Sequence, residues 1–103
     1  MNGRLESLLN LLKKEPEDSF LIYGIALEYI SQKDYTKAEE YFKLLLQNDP
    51  KYVPAYMQYA RLKENLNEIE NAKNLYREGI KVAKEQKDLH AAKEMEEFLN
   101  ELV

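Results

Sequence analysis

The sequence predicts an all-α fold of about six helices that pack as antiparallel pairs. Apolar residues recur three and four residues apart along almost the whole chain, which is typical of helices with one buried face. No segment alternates between apolar and polar residues in the manner of a β-strand. Prolines and alanines also recur after 34 residues, a period that indicates repeated pairs of helices.

The first three helices are predicted from their apolar stripes and from the residues that bound them. The stripes are Leu5, Leu8, Leu9 and Leu12; Ile22, Ile25, Ala26 and Tyr29; and Ala38, Phe42 and Leu45. Pro16 ends the first helix, Asp18 or Ser19 begins the second, and Asp34 begins the third, because short oxygen-bearing side chains accept bonds from free backbone N–H groups. The third helix ends at the segment 48–50.

The last three helices follow from the same two signals. Their inward residues are Tyr56, Tyr59, Ala60 and Lys63; Ala72, Tyr76 and Gly79; and Ala91, Ala92, Met95, Phe98, Leu99 and Leu102. Pro54 fits the first turn of the fourth helix, where its missing N–H is not needed. Asn67 followed by Glu70 predicts a capping box for the fifth helix. The sixth helix is expected to start at Asp88.

The 34-residue spacing divides the chain into units. The matched pairs are Pro16 and Pro50, Ala26 and Ala60, Ala38 and Ala72, and Phe42 and Tyr76. We therefore expect one domain over residues 1–103, with a half-repeat helix in 1–15, repeats in 19–52 and 53–86, and a capping helix in 88–103. Lys84 occupies the next proline position, so the period weakens there. Terminal units of a helical stack are expected to be atypical, because one of their faces meets water.

Composition excludes several classes of function. The chain has no Cys, and its 15 Lys plus Arg against 19 Asp plus Glu give a net charge of −4. Interspersed charges of both signs are a poor surface for nucleic acid, which requires clustered positive charge. Apolar runs reach only four or five residues, too short to span a membrane. We therefore expect a soluble, cytoplasmic domain that binds neither nucleic acid nor membrane.

Residues with catalytic or metal-binding patterns are absent from the sequence. His90 has Glu94 one helical turn away, but two ligands do not define a metal site, and a surface histidine is the simpler interpretation. No serine has the sequence context of a nucleophile, and the carboxylates are interleaved with lysines on solvated helix faces. We expect no enzymatic activity, no cofactor and no metal.

The repeated residues resemble those of the tetratricopeptide repeat (TPR) family. The positions that correspond to the TPR pattern are Ile22, Ile25, Ala26, Tyr29, Ala38, Phe42 and Pro50 in the first repeat, and Tyr56, Tyr59, Ala60, Ala72, Tyr76 and Gly79 in the second. The resemblance covers about residues 19–86. Four departures are Ile22 for a large aromatic, Leu45 for a small residue, Lys63 for an aromatic, and the missing second proline. The resemblance implies an alpha-alpha superhelix, a solenoid of antiparallel helix pairs, which serves as a scaffold for many partners.

In that architecture the first helix of each pair lines a concave groove, which suggests a site for a partner protein. The second helix carries an apolar stripe beyond its core stripe, and the fourth helix continues that face with more polar residues. The predicted partner-binding residues are Phe20, Tyr23, Leu27, Ile30, Met57, Gln58, Arg61 and Glu64. An apolar strip bordered by Arg and Glu suits a partner helix or an extended peptide, as expected of an adaptor.

Two alternatives to this groove stay open at the level of sequence. The stripe could pack against the first helix, and the sixth helix could fold back over the remainder, because a helix that is apolar nearly all round is often simply buried. The chain could also be a structural protein that self-associates as a homodimer. The residues that favour self-association are Phe98, Leu99, Leu102 and Val103.

Small residues at inward positions generate a first prediction. Ala38 and Ala72 stand where a larger side chain would push neighbouring helices apart. We expect Ala38→Leu and Ala72→Leu each to lower the free energy of unfolding by about 1–3 kcal/mol through overpacking. Thermal melts test this, and melting curves that match the parent for both variants would show that the helix register is wrong.

Overall fold

The structure is a computed structural model that describes residues 3–102, and within that range it consists of six α-helices. These are α1 (Gly3–Lys14), α2 (Ser19–Ser31), α3 (Tyr35–Asn48), α4 (Val53–Asn65), α5 (Ile69–Glu85) and α6 (Leu89–Glu101). No strand occurs in the described range, so the all-α prediction is confirmed. None of these helices combines the length and apolar character needed to cross a membrane. Contacts group the helices into two compact units, unit 1 up to Pro50 and unit 2 from Lys51.

Unit 1 is built on the pair α2–α3, with α1 packed against α2. Its fully buried side chains are Ile22, Ile25, Ala26, Ala38, Phe42 and Leu45, all from the predicted stripes. On the α1 side, Arg4 Nε lies 2.6 Å from a carboxylate oxygen of Glu28. Ser19 Oγ donates a hydrogen bond of 2.7 Å to Asp49, which joins the start of α2 to the end of α3.

Unit 2 is built on α4 and α5, and α6 packs on α5 and more lightly on α4. Gly79 marks the closest approach of its helices. A Cβ atom at this position would lie 2.6 Å from both Met95 Sδ and Tyr56 Cβ, so no larger residue fits without a shift of the neighbours. Met95 and Tyr76 are fully buried beside it. The Gln86 side-chain amide donates to the Lys51 carbonyl oxygen at 2.6 Å.

The predicted helix starts are confirmed for three aspartates. The carboxylates of Asp18, Asp34 and Asp88 each accept a hydrogen bond from the backbone N–H three residues later, at 3.0, 3.2 and 3.1 Å. These bonds satisfy N–H groups that have no partner within the helix. Pro54 lies in the first turn of α4, as predicted.

The predicted capping box at Asn67 is wrong. Asn67 lies in the turn that closes α4 and does not begin α5; the residue that precedes α5 is Glu68, whose side chain makes no capping bond. The φ angle of Asn67 is 62°, in the left-handed region that Asn tolerates better than most residues. Glu68 instead accepts hydrogen bonds from Lys63 and Asn71. The Asn between these two helices therefore belongs to the turn that closes the first helix and does not cap the second.

Three turns in the described range share this left-handed geometry. Lys33, Asn67 and Lys87 have φ angles of 63°, 62° and 61°. In each turn the next backbone N–H bonds to a carbonyl five residues earlier, at 2.9, 2.8 and 2.8 Å. This is the Schellman arrangement that closes a helix, and Gly usually occupies its left-handed position. Here Lys occupies it twice.

Gly24 and Gly79, the two glycines inside helices rather than at a helix end, provide a matched pair of substitutions. Gly79→Ala is expected to lower the free energy of unfolding by about 1–3 kcal/mol, because the added carbon overlaps Met95 and Tyr56. Gly24→Ala is expected to raise it by about 0.5–1 kcal/mol, because Ala favours a helix and the added carbon only reaches Leu8 at 3.4 Å. Urea unfolding of both variants tests this, and shifts of the same sign would contradict it.

Candidate functional site

On unit 1, the predicted partner-binding residues lie on one face of α2. Phe20 is 69% exposed, and Tyr23, Leu27 and Ile30 are half-buried. Helical geometry places these four side chains within one broad sector, rotated away from the core residues Ile22 and Ile25. No residue in this set is charged.

The packing of α1 shows how much of the α2 face it covers. Leu8 lies beside Gly24, and Arg4 pairs with Glu28, so α1 contacts the edge of α2 that these two residues mark. Phe20 keeps most of its surface exposed nevertheless. Packing against the first helix, the alternative that the sequence left open, therefore leaves Phe20 uncovered.

On unit 2, the predicted residues of α4 are engaged by other helices of the same unit. The Arg61 guanidinium lies 5.3 Å from the centre of the Phe98 ring, a cation–π contact between α4 and α6. Glu64 accepts a short hydrogen bond from the Tyr76 hydroxyl of α5. Met57 and Gln58 are half-buried. The sixth helix therefore contacts α4 at Arg61, whose side chain remains exposed.

Phe98 is the residue that the sequence placed inward without identifying its contacts. Its ring stacks on Tyr76 with centroids 5.9 Å apart and an interplanar angle of 21°. The ring therefore contacts both the Tyr76 ring and the Arg61 guanidinium. We call this position the aromatic slot, formed by Tyr76 and Arg61. In the sequence, the only sign of this contact was the place of Phe98 in the apolar stripe of the sixth helix.

The Tyr76 hydroxyl is held in its neutral form. Burial is the largest cause that raises the pKa of Tyr76, followed by its hydrogen bond to Glu64 and the negative charge of that carboxylate. The negative charge of Glu101 also raises this pKa. The positive charge of Arg61 lowers it, but by less than burial and Glu64 together raise it. The pair is therefore an O–H donor fixed to a carboxylate, and it anchors α5 to α4.

A second aromatic contact lies in unit 1. The rings of Tyr29 and Tyr41 stack with centroids 5.6 Å apart. Burial raises the pKa of the Tyr41 hydroxyl, with smaller contributions from Tyr29 and Glu40 that exceed the opposing effect of Lys37. Tyr41 also lines an open cleft of about 670 Å³ between α1 and α3. Neither this cleft nor this contact was predicted from the sequence.

Lys63 departs from the TPR pattern and proves to be the only buried charged residue among those described, at 8% exposure. Its ammonium lies 3.1 Å from a carboxylate oxygen of Glu68 and 5.8 Å from the centre of the Tyr59 ring. A buried ammonium requires such partners, because an unpaired charge away from water is costly. Lys63 therefore has an acidic and an aromatic partner at a position where an aromatic residue is usual.

Groups of three or more His, Asp or Glu residues that could hold a metal ion are not found among residues 3–102. His90 is exposed at the start of α6. The α2 face instead provides apolar and aromatic side chains, of which Phe20 is the most exposed.

Comparison with known proteins identifies the family. The family model described as tetratricopeptide repeat matches residues 29–95, well over half of the chain. The chain belongs to the tetratricopeptide repeat family. TPR domains are in general non-catalytic repeat scaffolds that mediate protein interactions. The resemblance drawn from the repeated residues is therefore confirmed.

Three relatives illustrate this TPR membership. TPR repeat-containing protein PA0015 of Pseudomonas aeruginosa is 26% identical over 98 residues, covering 95% of this chain and 93% of that protein. The solution structure of a tetratricopeptide repeat domain protein from Salinibacter ruber has a TM-score of 0.81 at 30% identity, over 84% of this chain and 88% of that one. Protein BPP2914 of Bordetella parapertussis has a TM-score of 0.85 over 99% of this chain and 89% of that one, and at 20% identity it shows the fold alone.

The Tyr76 environment generates a prediction about pH. Because the pKa of Tyr76 is raised in the native state, the unfolded chain loses this proton first, above the ordinary tyrosine pKa of about 10. The contribution of Tyr76 to the free energy of unfolding is therefore fully present below about pH 10 and declines as the pH rises further. We expect Tyr76→Phe to lower the free energy of unfolding by about 1 kcal/mol at neutral pH, because the hydrogen bond to Glu64 is lost. We also expect the free energy of unfolding of this variant to fall less steeply at alkaline pH.

Urea unfolding of the parent and Tyr76→Phe at a series of alkaline pH values measures this effect. Parallel curves, with the same loss of stability per pH unit in both proteins, would contradict it.

Proposed function

We propose that this TPR protein is a non-catalytic protein-interaction module that binds an apolar segment of a partner protein on the α2 face. The observation that carries the proposal is the exposure of Phe20 beside three further apolar residues, Tyr23, Leu27 and Ile30. An exposed aromatic ring of this kind is more favourable when a partner removes it from water, and aromatic residues are common at binding hot spots.

The chemistry of the α2 face indicates the kind of segment that fits. Because the four residues carry no charge, affinity there arises from apolar burial, with the Tyr23 hydroxyl as the polar group. The apolar side of an amphipathic helix, or alternate side chains of an extended peptide, matches such a strip. The partner-facing role of Met57, Gln58, Arg61 and Glu64 is proposed as a second surface on unit 2, with Arg61 and Glu64 setting orientation.

The alternative function, self-association as a homodimer, rests on the C-terminal apolar residues. Phe98 occupies the aromatic slot within unit 2, so a role for it in self-association requires that it first leave this position. Leu99 and Leu102 are half-buried, and Val103 lies outside the described residues. The cytoplasmic location expected from composition stays a prediction.

The proposal is tested by partner enrichment from extracts of the source cell with matched surface variants. Phe20→Asp places a charge on the α2 face, and Leu89→Asp does the same in the first turn of α6. The two side chains are almost equally exposed, at 69% and 67%, so their effects on folding are comparable. We expect Phe20→Asp to lose proteins that the parent captures and Leu89→Asp to keep them.

Tyr23→Asp on the same face should behave like Phe20→Asp, and circular dichroism should show all three variants to be helical. Capture of the same partners by the parent, Phe20→Asp and Tyr23→Asp would refute the assignment of the α2 face.

A further inference from the structure

We propose that two copies of this chain exchange their C-terminal helices, so that α6 of each copy packs on α5 of the other and the second copy's Phe98 fills the aromatic slot. This inference goes beyond the binding of another protein, because it makes a second copy of the chain a ligand of unit 2. It rests on the turn before α6, the contacts that α6 makes, and the helix-forming sequence around the turn.

The contacts of α6 show that the surface of α4 and α5 on which it packs is a well-defined binding site. Met95 is fully buried against the close approach at Gly79, and Phe98 contacts both Tyr76 and Arg61. Lys84 of α5 pairs with Glu96 of α6 at 3.3 Å. Each of these contacts forms equally well with α6 of another copy, since an exchanged element meets the same neighbours.

The turn between α5 and α6 is short and conformationally disfavoured. Only residues 86–88 separate the two helices, and Lys87 lies in the left-handed region without being Gly. A short hinge under strain favours exchange of the element that follows it. If the turn became helical, Lys87 would leave that region, and α5 and α6 would join into one helix.

The sequence around the turn permits such a continuous helix. Residues 80–102 contain neither Gly nor Pro, and Lys84 stands where the repeat pattern places a proline. The joined helix over residues 69–101 would be about 50 Å long. At the other end of the chain, Pro16 lies between α1 and α2 and prevents the same change there.

The similar turns at Lys33 and Asn67 do not offer the same route. Each joins the two helices of a pair, α2 with α3 and α4 with α5, so opening it would disrupt the centre of a unit. The turn at Lys87 has a single helix on its far side. Opening it exposes Ala92, Met95 and Phe98 to water, and the open form is therefore stable only when a second copy covers them.

A pair of charge variants tests the exchange directly. In Lys84→Glu alone, residues 84 and 96 are both acidic, and in Glu96→Lys alone both are basic, so each closed chain contains a like-charge contact. When the two variants exchange α6 with each other, both sites of the mixed dimer regain an acidic residue opposite a basic one. The variants, one of them tagged, are mixed in urea, refolded together at high protein concentration and analysed by native mass spectrometry.

We expect the mixed dimer to exceed clearly the half of all dimers that random pairing gives, and the dimer fraction of the mixture to be several-fold above that of either variant alone. The double variant Lys84→Glu with Glu96→Lys restores the contact within one chain and should dimerise like the parent. Random pairing, or monomers at every concentration, would overturn the proposal.

The hinge provides a second arm with a control at the equivalent turn. Lys87→Gly fits the left-handed turn and weakens the joined helix, so we expect the dimer association constant to fall at least a hundredfold. Lys33→Gly makes the same change in the turn between α2 and α3, and it should leave the association constant within a few-fold of the parent. Equal effects of the two substitutions would overturn the role of the hinge.

Discussion

The close approach of helices at small residues is the constraint on which this protein depends. At Gly79, α5 lies so near to α4 and α6 that a single added carbon would touch both Tyr56 and Met95. Ala38, Ala60 and Ala72 are fully buried and contribute no side chain large enough to separate their helices. Large rings then fill the remaining spaces, as Phe42 does in unit 1 and Tyr76 in unit 2. Packing at this density leaves little room for other side chains.

The turns between helices are the second feature on which the fold depends. Their left-handed positions are occupied by residues that disfavour this conformation. Three left-handed turns close their helices with the same backbone hydrogen bonds, although Lys or Asn stands where Gly is usual. The following acidic residue begins the next helix, with a side-chain bond at Asp34 and Asp88 and without one at Glu68. Tight three-residue connections thus result from backbone bonding that outweighs the conformational preference of a single residue.

Equivalent helices of the two units differ in what covers their outer faces. On α2 the apolar face leaves Phe20 largely in water, which supports a role in binding a partner. On α4, Arg61 and Glu64 contact Phe98 and Tyr76, so α6 and α5 of unit 2 engage the polar members of that face. The two units of this TPR protein therefore differ, because unit 1 leaves Phe20 of α2 exposed and unit 2 packs its own helix α6 near Arg61 of α4.

The sequence by itself determined the number and type of helices, because apolar spacing and capping by Asp18, Asp34 and Asp88 act over a few residues. The 34-residue spacing likewise determined the family, since it reflects pairs of neighbouring helices. Asn67 was misassigned because Asn suits both the end of one helix and the start of the next. Only the tertiary structure decided that α6 brings Phe98 against Arg61 while Phe20 stays largely exposed. Those outcomes depend on contacts between residues far apart in the chain, such as Arg61 with Phe98, which local spacing does not specify.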